Sequence, residues 1–361
     1  MRAEPFSGTP AWRRPTWPLV PAEARWLAAA SVLSGVRLGA SVPVNSGTAY
    51  LAPGVTLGPS QRFVCVIGAF DGLHAGHRAL IAEAAADARA RNLPLAIVTF
   101  DPDPSKVLSR RSPERLLSDA DRVRSLALAG ADAVVVHRFT PEFAALPYDR
   151  YVTEVLGGIF FPAAIHVGEN FRFGAGGAGT VVAMTRLGEK HGFEAFGHAL
   201  VSVGGSPVSA TRVRGLLREG KVDKAAELLL RHHFLAGRII HGRGEGTSFG
   251  FPTANVELDG RDCLPADGVY ACLACIGGSV WPAAVNVGVP PTFNVSAHPM
   301  LEANLVGFSG DAYGEEARVV FLRRLRPSRR FDSLAELEAT VLGNIHWVRD
   351  HVGEGCVGVV V

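Results

Sequence analysis

The chain has 361 residues, too many for one small module and enough for two domains or one large α/β domain. Hydrophobic residues at 48% against 19% charged exclude a disordered chain, and a net charge of +2 excludes a protein that holds nucleic acid by charge alone. No apolar run reaches the roughly 18 residues of a membrane span, so none is expected.

Residues 1–60 read differently from the rest. They carry Trp12, Trp17 and Trp26, several prolines, and five arginines against two glutamates. The small apolar stretch Trp26–Ala40 lacks the short basic start of a secretory leader, so an N-terminal extension, flexible or loosely docked, is expected. From residue 61 the texture becomes strand–helix alternation. RFVCVIGAF is a buried strand, a helix follows from about His77 to Arg91, and LPLAIVTF is a second strand. A helix from Asp121 to Gly130, the strands ADAVVVHRF and AAIHVGENF, and a helix in SATRVRGLLREG complete the series. Such alternation predicts a parallel sheet with helices on both faces over 61–215. A helical linker is expected over 216–230.

Beyond 231 the pattern turns to β. FLAGRIIHG, PTANVEL, GVYACLACI, VWPAAVNVG, HPMLEANLVGF and ARVVFLRRL are short runs parted by Gly, Pro and Asp, which predicts an antiparallel barrel or sandwich over 231–361. A last helix opens on the capping box Ser333–Glu336. The five cysteines are odd in number and irregularly spaced, so no disulfide framework is expected; a reducing, cytoplasmic location fits. Cys272 and Cys275 form one C-x-x-C within a strand, read as two small buried side chains rather than a zinc site. Arg323, Arg324, Arg326, Arg329 and Arg330 make a basic run, either a solvated edge or a patch near a phosphate.

Three stretches of the first domain carry chemistry. In GAFDGLHAGH, Gly68, Asp71, Gly72 and Gly76 surround His74 and His77 where a strand passes into a helix. The helix start attracts anions, the glycines admit a phosphate, and the imidazoles can stabilise charge on it. A metal would need a third ligand with no evident source, and plain helix capping is the other alternative. VGENFRFG places Glu169, Asn170 and Arg172 at a strand's carboxyl end, and VSATRVR places Ser209, Thr211, Arg212 and Arg214 at a helix start suited to phosphates.

In the β domain, Gly242, Gly244, Gly246 and Gly250 form a loop whose N–H groups can cradle a phosphate, although no Walker A sequence is present. Thr253 and Asn255 alternate with Ala254 and so share a face, an oxygen pair suited to Mg²⁺; a plain Gly-rich hairpin is the alternative. Glu302 is the lone acid of MLEANLV, a candidate general base or, taken alone, an outward strand residue.

Together these stretches resemble the bacterial bifunctional riboflavin kinase/FAD synthetase family over about residues 62–350. GAFDGLHAGH, VTFDPDP, VGENFRFG and VSATRVR resemble its adenylyltransferase half; GFPTAN, PADGVYA, NVGVPPTF and MLEANLVGFSGDAYG resemble its kinase half. The resemblance implies a Rossmann-like nucleotidyltransferase domain, then a six-stranded antiparallel β-barrel with a C-terminal helix. It implies phosphorylation of riboflavin to FMN and adenylylation of FMN to FAD, with ATP as co-substrate and Mg²⁺ as metal. By motif position, His74 and His77 would be catalytic in the first half and Glu302 in the second. Gly68, Phe70, Asp71, Gly76, Asn170, Ser209, Thr211 and Arg214 would bind nucleotide, as would the four glycines of the loop. Partners would be riboflavin, FMN, FAD and ATP, with neither nucleic acid nor membrane.

Three positions depart from the family pattern. Asp103 stands where a His is usual, Ala210 where a Ser is usual, and Leu230-Arg231-His232 where Gly-Arg-Pro is usual. The first two predict a slower adenylylation. They also sustain a competing reading, a kinase whose first domain is weak or only binds nucleotide.

Overall fold

In a computed structural model, residues 14–31, 36–109, 112–241, 253–288 and 300–358 are described. They form two compact units. Among the described residues the first holds 36–113 and 119–209; the second joins 14–31, 114–118 and 210–358.

The first unit is built on one seven-stranded sheet. Its strands are β1 (Ala40–Val44), β2 (Gly47–Leu51), β3 (Gly58–Ile67), β4 (Leu95–Asp101), β5 (Ala133–Arg138), β6 (Phe160–Gly168) and β7 (Glu194–His198). Their order is β1-β2-β5-β4-β3-β6-β7, parallel from β5 to β7 and antiparallel at the hairpin β1–β2. The longer helices are α2 (Ala75–Arg91), α3 (Asp119–Leu128) and α4 (Val181–His191). α1 (Pro21–Ser31) belongs to the second unit. The central strands are apolar on both faces, and Phe63, Cys65, Val98, Val135 and Ile165 are fully buried. Each large apolar side chain so buried contributes roughly 1.5–3 kcal/mol.

The expectation of an extension over 1–60 needs correction within the described residues. β2 pairs with β5 from Gly47↔His137 to Leu51↔Ala133, so this stretch closes the sheet's edge. Backbone pairing draws in a segment whose alternation is too short to read alone. α1 buries Leu27 and Ala28, and its approach brings Trp17 to 5.2 Å from Trp347 while Leu19 N–H donates to the His351 carbonyl.

The second unit is a closed barrel. Its strands are β8 (Phe234–Ile240), β9 (Ala254–Leu258), β10 (Gly268–Ile276), β11 (Ser279–Val287), β12 (Met300–Leu305) and β13 (Glu316–Pro327). They run β10-β13-β8-β9-β12-β11, and β10 pairs with β11 to close the ring, leaving no free edge among the six. α5 (Ala210–Arg218) and α6 (Val222–Leu229) precede the barrel, and α7 (Leu334–His351) follows it. Ser333 Oγ accepts from Glu336 N–H at 3.2 Å, while the Glu336 carboxylate reaches back to Asp332 N–H.

Cys272 and Cys275 lie in a strand buried along its whole length. Burial raises both thiols, Cys275 to about 12, so they are inert packing groups. The arginine run is held by its own fold: Arg324 donates to the Asp267 carbonyl at 2.6 Å, and Arg326 and Arg329 lie against the Phe331 ring. Leu230 takes φ 54, a left-handed conformation costing a leucine roughly 1–2 kcal/mol, where the family pattern has glycine. The buried His232 that follows engages the Phe321 carbonyl at 2.9 Å.

Candidate functional site

The first site lies along the carboxyl ends of the parallel strands. β3 ends at Ile67, and the chain turns through Phe70 (φ 54) and Gly72 (φ 76) into α2. A Cβ at Gly68 would lie 3.0 Å from the Phe70 ring, so a larger residue would push that ring aside. His74 caps α2, its Nδ1 accepting from His77 N–H at 3.4 Å, and the two imidazoles stack with centroids 3.6 Å apart. The capping alternative and the phosphate reading therefore describe the same turn. Burial first, then neighbouring His74, pushes the His77 pKa well below its ordinary value, so His77 is neutral at pH 7. Its buried Nδ1 has no partner among the described residues. An arriving phosphate would oppose that shift, because an anion favours the charged imidazole.

These histidines open onto a cavity of about 1100 Å³. Gly68, Phe70, Gly76, Asn170 and Ser209 share its lining with His74 and His77. Asp71 is buried in the turn beneath. Toward β4 and β5 the wall is aromatic, with Phe100, Phe139, Phe143 and Tyr151; toward β7 it is aliphatic, with Leu200, Val201 and Val208. Thr211 and Arg214 lie on α5 in the second unit, where Arg214 Nε donates to the Glu114 carbonyl at 2.5 Å.

Asp103 does a different job from the one expected. Its Oδ1 accepts from Ser105 N–H at 2.9 Å and from Ser105 Oγ, capping the short helix Pro104–Leu108. The carboxylate is spent on one backbone N–H and one hydroxyl, which is the ordinary use of Asp before a helix. Tyr151, which sequence reasoning missed, lines the cavity with a buried hydroxyl that has no partner among the described residues.

In the barrel, strand register assembles the second site. Asn255 on β9 stands opposite Glu302 on β12, and Asn286 on β11 stands opposite the same Glu302 from the other side. The three side chains form one row on the barrel's outer face. Asn286 Nδ2 donates to Glu302 Oε2 at 3.4 Å. Asn286 was missed as an individual residue; its signal was the NVG of the NVGVPPTF stretch. Thr253 lies two residues before Asn255 and is half-buried. Its hydroxyl and the Asn255 amide carbonyl are hard oxygen donors, the chemistry Mg²⁺ takes alongside substrate phosphates. Gly242, Gly244, Gly246 and Gly250 lie outside the described residues.

A strand–turn–helix junction at the carboxyl ends of a largely parallel sheet, followed by a closed six-stranded barrel, is the two-domain architecture of a nucleotide-handling enzyme. The FAD synthetase family model matches residues 58–212, and the riboflavin kinase model matches 229–352. The bifunctional riboflavin kinase/FMN adenylyltransferase of Escherichia coli K12 is 35% identical over 82% of this chain and 94% of its own length. That of Bacillus subtilis is 33% identical over 76% and 88%. A crystal structure described as a macrolide-efflux protein from Streptococcus pneumoniae superposes with a TM-score of 0.73 at 29% identity, covering 81% of this chain and 95% of that one. No helix among the described residues is long and apolar enough to cross a membrane. The chain belongs to the bifunctional riboflavin kinase/FMN adenylyltransferase family.

Proposed function

We propose that the protein phosphorylates riboflavin to FMN with ATP in the barrel unit, and adenylylates FMN to FAD with a second ATP in the first unit, releasing pyrophosphate. The single observation that carries this is the presence of both units, each with its own chemical groups, on one chain that matches both family models.

In the barrel, Glu302 takes the proton of the ribityl 5′-hydroxyl, and that oxygen attacks the γ-phosphorus of ATP as the bond to the β-phosphate breaks and ADP leaves. Asn286 holds Glu302 Oε2 through its amide N–H, which fixes the carboxylate while leaving its other oxygen for the substrate. Thr253 and Asn255 would hold Mg²⁺, which when bound neutralises phosphate charge.

In the first unit the FMN phosphate is already anionic, so attack on the α-phosphorus needs no base. Positioning and charge stabilisation suffice. His74 and His77 donate to the phosphate oxygens from the start of α2. The aromatic end of the cavity receives the isoalloxazine ring, and Asn170 and Ser209 bond the nucleotide. Thr211 and Arg214 are assigned to ATP on motif position. Buried thiols with raised pKa suit a reducing cytoplasm.

Incubation of the purified protein with riboflavin, ATP and Mg²⁺, followed by chromatography of the flavins, should yield both FMN and FAD. FMN alone, even when FMN and ATP are supplied directly, would reduce the protein to a kinase.

A further inference from the structure

Three titratable side chains outside the assigned set form a continuous chain that ends at the first cavity. Asp87 on α2 receives Arg91 Nε on one oxygen at 2.8 Å and contacts His166 Nε2 with the other at 3.1 Å. His166, on β6 and buried, meets His198 Nε2 through its Nδ1 at 2.9 Å. The His166 and His198 rings lie 19° from coplanar with centroids 5.1 Å apart, the geometry of an end-to-end hydrogen bond. His198, the last residue of β7, lines the cavity.

The chain fixes which nitrogen carries each proton. Burial opposes the charge on Asp87, but hydrogen bonds from Arg91 and His166 outweigh it and hold its carboxyl below the ordinary value, so Asp87 is an acceptor only. Burial keeps His166 neutral, with one N–H to give. That N–H goes to Asp87, which makes His166 Nδ1 an acceptor and His198 Nε2 a donor. His198 is then left with a single polar atom for the cavity, the lone pair of Nδ1.

What meets that lone pair follows from the order of the strands. The aromatic end of the cavity lies at β4 and β5, the histidine pair follows β3, and His198 ends β7 at the opposite side. A flavin joined through two phosphates to a nucleoside, laid along this edge with its ring among the aromatics and its phosphates at the histidines, places the nucleoside at β7. We propose that Asp87 and His166 hold His198 in the tautomer that accepts a hydrogen bond from the nucleoside of ATP, through either its exocyclic amine or a ribose hydroxyl. His198 is thereby a binding residue, and Asp87 and His166 are positioning residues. This inference rests on the adenylyl-transfer reading of the cavity.

The test is steady-state FAD formation from FMN by the full-length protein, using ATP, inosine triphosphate, 2′-deoxy-ATP and 3′-deoxy-ATP. His198→Ala should raise KM for ATP about tenfold, with kcat and KM for FMN little changed. The one analogue that lacks the donor should bind wild type about tenfold more weakly than ATP and be indifferent to His198→Ala, which identifies amine or hydroxyl. Asp87→Asn, which can donate to His166 and so reverse both tautomers, should reproduce the KM split, and Asp87→Glu should restore it in part. An active wild type whose ATP KM is unmoved by His198→Ala overturns the inference alone, as does a rise in both KM values together, which marks a structural role. Equal losses for all four nucleotides would put His198 at the phosphates and also overturn it. A wild type that makes no FAD from FMN and ATP overturns the adenylyl-transfer reading itself.

Discussion

The two units present their candidate groups in opposite ways. In the first, side chains come from the ends of parallel strands and from one helix start, and they surround a cavity. In the second, Asn255, Glu302 and Asn286 come from adjacent antiparallel strands and stand abreast on an outer face. Parallel strands all point their carboxyl ends one way, so loops and helix starts collect there and supply N–H and imidazole donors for an anion. An antiparallel barrel offers lateral neighbours instead, and a carboxylate between two amides is what a base needs. The difference matches the chemistry. One nucleophile is already charged, and the other has a proton to lose.

The sharpest way to break this contrast is Glu302→Ala. FMN formation should fall by about 10²–10⁴-fold, while FAD formation from supplied FMN stays at the wild-type rate. Kinase turnover within a few-fold of wild type would remove Glu302 from the chemistry. Asn255→Ala should shift the Mg²⁺ titration of FMN formation by about tenfold through loss of one ligand to a charged group, with no change in the FAD step. An unmoved titration curve would deny Asn255 any part in metal binding.

Smaller effects test the two departures in the first half. Ala210→Ser restores a hydroxyl at the start of α5 and should raise the FAD rate by up to about tenfold. Asp103→His should bring no such gain and should cost about 1 kcal/mol, because it removes the cap on Pro104–Leu108. A faster and equally stable Asp103→His enzyme would show that the capping carboxylate also repels the polyphosphate.

A further effect, graded with pH, belongs to the second unit. Burial pushes His232 and His233 in the barrel down to about 3, against about 6.5 in an unfolded chain. Between those values the unfolded chain binds protons that the folded barrel refuses. Stability from this source is whole above pH 6.5 and declines as pH falls toward 3, by at most roughly 1.4 kcal/mol per pH unit for each imidazole. Among the described residues the tryptophans, Trp17, Trp26, Trp281 and Trp347, all lie in the second unit, so their fluorescence reports on that unit. Its urea midpoint should drop from pH 7 to pH 5. An unchanged midpoint would mean that both imidazoles accept protons inside the folded barrel.

What the sequence disclosed follows from how local each feature is. The β3–α2 junction carries its own signals, an apolar run, glycines and two histidines at helical spacing, and it was legible with its chemistry. The six barrel strands were legible from turn residues at regular intervals. The hairpin β1–β2 was not, because its strands are five residues each, one contains Pro43, and their place depends on β5, some eighty residues away in the chain. Glu194–His198 was equally silent, since an edge strand with no buried residue shows no apolar periodicity. The meeting of Asn286 with Glu302 and that of His166 with Asp87 and His198 depend on register and tertiary packing. No spacing in the sequence encodes them. Asp103 shows the converse: beyond the family pattern it is judged against, its carboxylate also answers to Ser105, two residues on, which no motif encodes.

Helix α1 has a consequence in time. It leaves the ribosome well before the barrel strands β10 and β11 that it packs against. At about 5–20 residues per second, the interval is on the order of tens of seconds. Throughout it, the apolar face carrying Leu27 and Ala28 has no barrel to cover it, while the whole first sheet is being synthesised and can close. Folding of the second unit is therefore bound to synthesis of its barrel strands, and a message cut short after the first unit would release a protein with that helix still uncovered.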